Sequence, residues 1–317
     1  MLKRVFFVGI AASFSTCWIA CVARAADVQP DEESGSIRVA SVSIFPEKWN
    51  KPANAEKIER LVRDAAAEGA ELVITPEGVL EGYVVNEVIH EKDPQKKTDL
   101  TARFREVAEP IDGPYVRRFE RLADELDVHL ILGFLEAEGD KTYNTSALLG
   151  PDGKLVGRYH KTHFHQGYDV NPPGYTPGNE YPVFDIGRLK IGIMICFDRQ
   201  LPEPARQLAL GGADLIACPS YGGRGPWNTR IMQVRAYENQ VSMVFTHPEE
   251  SLIIDRNGEL LKEGTKDSYV LQDISLSKPR KLRESVVRRR PETYRELAEG
   301  EKGRRGKGRN PEYRIQE

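Results

Sequence analysis

Between residues 37 and 75 the chain passes from an alternating segment, IRVASVSI, through an amphipathic stretch to a short apolar run, ELVIT. Alternation puts every second residue of IRVASVSI on one face, the pattern of a half-buried strand. In ANAEKIERLVRDAAAEGA, residues Ile58, Leu61, Val62 and Ala65 recur at i, i+3, i+4 and i+7, and Gly69 ends the pattern, as a helix with one buried stripe requires. ELVIT is short, apolar and closed by Pro76, and reads as a buried strand. Strand, helix and strand at this spacing form a parallel crossover. Such a unit commits the chain to a sheet covered by helices.

The unit recurs. Tyr115, Phe119, Leu122 and Leu126 form a helical stripe leading into the strand HLILGFL at 129–135. YNTSALLG and KLVGRYH flank Pro151-Asp152-Gly153, the turn of a hairpin. LKIGIMIC at 189–196 precedes a helix opening near Pro202-Glu203. DLIACPS, a helix over 228–238 and VSMVFTH follow, then a second hairpin turned at Arg256-Asn257-Gly258. Crossovers mixed with hairpins predict one α/β domain with mixed sheets over 36–276.

The 317 residues, 40% of them hydrophobic, suffice for a sizeable core. A formal charge of -3 gives no general attraction to nucleic acid or to an anionic membrane. Residues 1–25 carry Lys3 and Arg4, an apolar run interrupted by Ser13, Ser15 and Thr16, and then Ala23-Arg24-Ala25. This is the pattern of a cleaved secretory signal, so the expected location is exported, periplasmic or secreted, with no membrane span in the mature chain. An uncleaved anchor, or a lipoprotein through Cys21, are the alternatives. The mature chain then keeps Cys196 and Cys218, either as free thiols or as one disulfide that would silence both. Residues 277–317 form a basic extension, a solvated arm or a polyanion-binding tail.

Three ionisable residues each follow an apolar strand: Glu77 in ELVITPEG, Lys161 in GRYHKTHF and Cys196 in GIMICFDR. Ligands of open α/β sheets bind beyond the carboxyl ends of strands, although spacing alone does not bring the three together. In the order TPEG, YHKTH, CFDRQLPEPAR, and with RAYEN at 235–239, the chain resembles the nitrilase, or carbon-nitrogen hydrolase, superfamily. The resemblance runs from about residue 37 to about 275. It implies a four-layer αββα sandwich of the nitrilase type that forms a homodimer or larger assembly, needs no cofactor or metal, and acts on a small-molecule amide. It also implies the roles: Cys196 the nucleophile, Glu77 the base, Lys161 the oxyanion partner. The chemistry is coherent, since a thiol near its reference pKa of about 8.5 needs a base or positive surroundings to attack. The backbone N–H of Phe197, just past the strand, is a second oxyanion donor.

The segment CFDRQLPE resembles N-carbamoyl amino-acid amidohydrolases, in which an arginine soon after the nucleophile binds the substrate carboxylate. Arg199 occupies that place, with a helix-entry ion pair to Glu203 as its plainer role. The expected reaction is therefore hydrolysis of an amide or N-carbamoyl bond, with nitrile hydrolysis and a non-catalytic binding protein as rivals. Many relatives carry a second glutamate after the lysine. Here HQGYDVNPPGYTPG has none, and Asp169 is the sole carboxylate that could take its place. His160, His163 and His165 raise a metal site, disfavoured because no carboxylate or cysteine completes it nearby in sequence.

Overall fold

The computed structural model describes residues 35–165, 174–276 and 284–294. The signal-like segment 1–25, Asp169 and most of the basic extension lie outside the described residues. The strands are β1 (Ser36–Ser43), β2 (Leu72–Ile74), β3 (Glu109–Pro110), β4 (His129–Glu138), β5 (Lys141–Leu149), β6 (Leu155–His160), β7 (Val183–Asp185), β8 (Lys190–Ile193), β9 (Leu215–Pro219), β10 (Ser242–His247), β11 (Glu250–Ile254), β12 (Leu260–Thr265) and β13 (Ser268–Ser275). The helices are α1 (Lys51–Ala67), α2 (Val85–His90), α3 (Pro94–Val107), α4 (Pro114–Leu126), α5 (Pro202–Leu210), α6 (Pro226–Asn239) and α7 (Glu284–Val287).

Both sheets are mixed. The first runs β13-β1-β2-β4-β5-β6 with β3 beside β4, and the second runs β12-β11-β10-β9-β8-β7. Parallel pairs (β1-β2, β2-β4, β8-β9, β9-β10) are the crossovers that the sequence periodicity demands, and the antiparallel pairs β5-β6 and β11-β12 are its two hairpins; β4-β5 and β10-β11 are further antiparallel pairs. Alternation sorts the strand residues into two faces. In the first sheet, Val73, Leu130, Leu132, Phe134 and Ala147 face outward and pack with Ile58, Leu61, Val62 and Ala65 of α1 and with Phe119 and Leu122 of α4. Ile74, Ile131, Leu148 and Tyr159 face inward, against Ile191, Ile193, Leu215, Ala217 and Val244 of the second sheet. Met194, Ile216, Met243 and Phe245 on the far face meet Ala205 and Leu208 of α5 and Met232 and Ala236 of α6. Four layers, αββα, result. Among the described residues no helix is long and apolar enough to cross a membrane.

Local chemistry sets the boundaries. Asn50 caps α1, its side chain accepting from the Ala53 N–H at 3.2 Å, and Gly69 at φ 88° releases the chain towards β2. Gly133 in β4 matters for the site, because a Cβ there would lie 2.1 Å from the carbonyl oxygen of Pro76, immediately before Glu77. Gly133→Ala is expected to cost about 3 kcal/mol in urea denaturation and to depress turnover by displacing the Glu77 turn. Wild-type values for both would contradict this close packing.

Candidate active site

Glu77 leaves β2, Lys161 leaves β6 and Cys196 lies shortly beyond β8. β2 and β6 run in the same direction in the first sheet, through the parallel β2-β4 pair and the antiparallel pairs β4-β5 and β5-β6, so their carboxyl ends share one edge. Lys161 Nζ donates to Glu77 Oε1 at 2.6 Å, with the two side chains 2% and 0% exposed. Asn144 of β5 donates to the same oxygen at 2.7 Å. Glu77 Oε2 is buried with no hydrogen-bond partner among the described residues. One carboxylate oxygen is thus anchored by two donors, and the other is left to accept a proton.

Burial alone pulls the Lys161 ammonium down. The Glu77 carboxylate, Cys196 and Asp198 together outweigh it and hold the lysine above its ordinary value. Lys161 is therefore a fixed cation at the site. Cys196 is 8% exposed. Its backbone is left-handed, φ 48°, a conformation that costs an L residue about 1–2 kcal/mol. The chain turns sharply there into a short 3-10 turn, Cys196–Gln200, and the thiol lies 3.7 Å from the Gly222 carbonyl oxygen. Phe197 is the second residue of that turn.

Arg199 is placed differently from the carboxylate-binding expectation. It is 1% exposed, and Nε donates to Asn228 Oδ1 at 2.6 Å, Nη1 to the Cys196 carbonyl at 2.5 Å, and Nη2 to the carbonyls of Gly222 and Gly223. Nor does it pair with Glu203. The guanidinium braces the Cys196 turn against the loop after β9, which answers the turn's unpaired carbonyls. Cys218 is a free, buried thiol, as is Cys196, and burial pushes it up to about 12. It is a packed residue of β9, protonated and unreactive. Two of the three histidines sit by carboxylates: His160 lies 2.9 Å from Glu136 and stacks on Tyr143, and His163 lies 2.9 Å from Asp198, whereas the His165 ring lies 6.4 Å from that of Phe197.

The walls are aromatic. Tyr83 stacks on Tyr221 at 4.2 Å between centroids, and Phe164 stacks on Tyr175 at 5.4 Å. Burial, then the Glu77 charge, raises Tyr83 well above its ordinary value, so its hydroxyl stays protonated. Glu81 is also buried, one oxygen accepting from the Leu135 N–H at 2.9 Å and the other unpartnered. Burial raises this carboxyl to about 8 from an ordinary 4.5. The folded chain then binds one more proton than the unfolded chain between those values, and stability falls as pH rises through that window. At about 1.4 kcal/mol per pH decade the loss is up to about 5 kcal/mol. Glu81→Gln is expected to remove this slope and to be the more stable protein at pH 8 in chemical denaturation. Parallel slopes for the two proteins would show that Glu81 ionises freely when folded.

Glu77 and Lys161 meet in a buried ion pair at the carboxyl edge of the first sheet, and Cys196 acts electrostatically on the same lysine. The chain belongs to the carbon-nitrogen hydrolase family, whose model matches residues 38–284. Within that class, the nitrilase superfamily, it is an enzyme acting on carbon-nitrogen bonds other than peptide bonds. It is 34% identical over 210 residues to a nitrilase of Pyrococcus abyssi, covering 66% of this chain and 73% of that one. It is 29% identical over 261 residues to the human omega-amidase NIT2, covering 74% and 88%. It is 28% identical over 293 residues to a citrullinase of Francisella tularensis, covering 83% and 98%. Among solved structures, an amidase from Nesterenkonia sp. superposes with a TM-score of 0.66 at 19% identity, covering 83% of this chain and 97% of that one. That likeness shows the fold.

Proposed function

We propose that the chain hydrolyses a carboxamide or N-carbamoyl bond of a small molecule through a thioester on Cys196. The observation that carries the reading is the buried Glu77, whose Oε1 is held by Lys161 and Asn144 while Oε2 is unpartnered. Glu77 Oε2 takes the thiol proton, and the Cys196 sulfur attacks the carbonyl carbon. The oxyanion lies between Lys161 Nζ and the Phe197 N–H. The carbon-nitrogen bond breaks as Glu77 hands its proton to the leaving nitrogen, giving ammonia or an amine and the thioester. Water then loses a proton to Glu77 as it adds to the thioester, and that proton returns to the thiolate as the acid leaves. Asn144 keeps the base in its rotamer throughout.

Relatives named an omega-amidase and a citrullinase support an amide or ureido substrate. The relative named a nitrilase supports the second reading, a nitrile that adds the same thiol. Ammonia release from a panel of carboxamides, N-carbamoyl amino acids and nitriles tests the proposal. Release from the first two classes is the expected result. Release from nitriles alone would favour the second reading, and release from none would favour a binding protein.

Export through residues 1–25 and self-association belong to the same proposal. N-terminal sequencing of the exported chain and sedimentation in solution are the respective checks.

A further inference from the structure

Asp198 is wholly buried and takes no part in the proton transfers above. Its Oδ2 accepts from the Ile195 N–H at 2.9 Å and from the Tyr159 hydroxyl at 2.8 Å. Its Oδ1 accepts from the Thr162 hydroxyl and the His163 N–H, both at 3.0 Å, and lies 2.9 Å from His163 Nδ1. Tyr181 reaches the same cluster through Thr162 at 2.9 Å. The donors come from two places. Tyr159, Thr162 and His163 surround Lys161 at the end of a first-sheet strand, and Ile195 precedes Cys196 beyond a second-sheet strand. One side chain therefore ties the lysine segment to the nucleophile turn across the interface between the sheets. A carboxylate suits this point, being an acceptor at both oxygens, whereas an amide would turn N–H groups towards N–H and O–H donors.

We propose that Asp198 is a positioning residue that fixes Lys161 relative to Cys196, so that thiolate and oxyanion both lie within the field of the ammonium. The proposal rests on the roles given to Lys161 and Cys196 above. It differs from a purely structural role in what it predicts for the folded enzyme. Separating the two segments moves the lysine away from the thiol, and misplacement by about 1 Å costs on the order of 10²-fold in rate.

The test compares Asp198→Asn, Thr162→Val and Thr162→Ser in the full chain, each with a thermal melt, the kcat and KM for the best amide, and the pH profile of Cys196 alkylation by iodoacetamide. Asp198→Asn is expected to lower kcat about 10²-fold with KM within about threefold. Its alkylation profile is expected to shift to higher pH, because the thiolate has lost its cation. Thr162→Val is expected to lose about tenfold in kcat, and Thr162→Ser, which keeps the hydroxyl, to recover most of that. Should Asp198→Asn fail to fold, the two Thr162 variants carry the test. Lower melts accompanied by wild-type kcat per folded site and wild-type alkylation profiles would overturn the proposal. Alkylation reads the thiol without turnover, so a wrong assignment of the reaction would leave this measurement intact and distinguishable.

Discussion

Cys196→Ala is expected to lose turnover by about 10⁵-fold or more while remaining folded. No other described thiol can replace it: Cys218 is buried and its thiol is pushed up to about 12. Removing a nucleophile costs an enzyme of this kind about as much as removing the whole constellation, because the partners act only through the covalent step. The side chain is small and at the edge of the inter-sheet core, so the melt is expected to move by only a few degrees. The measurement is ammonia release beside a thermal melt. Substantial release by the variant would place the nucleophile elsewhere and end the thioester reading.

Lys161→Met is expected to fail twice. Turnover falls by about 10³-fold through loss of the oxyanion partner, and the fold weakens because Glu77, 0% exposed, is left without its cation. An uncompensated buried charge costs about 3–5 kcal/mol, which in a domain of this size lowers the melt by about 10 °C. The double variant Glu77→Gln/Lys161→Met removes the orphaned charge and is expected to regain much of that stability with no activity. Equal melts for the single and double variants would mean that Glu77 is relieved by some other group.

The strands that precede Glu77 and Cys196 were legible in the sequence because each is a short apolar run, the strand before Lys161 because the Pro151-Asp152-Gly153 turn marks its hairpin, and α1 and α4 because their apolar stripes are unbroken. α3 was not: of its 14 residues only Phe104 is buried, so no stripe marks it. Arg199 misled for a chemical reason, since a guanidinium that can fork onto a carboxylate can equally fork onto carbonyls. Only the fold of the loop after β9 decides which. Asn144 went unnoticed, yet the Pro151-Asp152-Gly153 turn contained the signal. A hairpin turned there pairs Thr145 with His160, which sets Asn144 beside Lys161, and the Lys161 N–H bonds to the Asn144 carbonyl at 2.9 Å. Asp198 needed the packing of two sheets, which no local pattern encodes.

The left-handed backbone at Cys196 has an evolutionary consequence. Glycine takes φ 48° without strain and asparagine with little, so both would relieve the turn that cysteine keeps under tension. Variants of this chain selected only for heat resistance would drift towards those two residues at position 196, gaining about 1 kcal/mol as they lost their chemistry. Directed improvement of this scaffold therefore has to screen for turnover at every round, because at this position durability and reactivity pull in opposite directions.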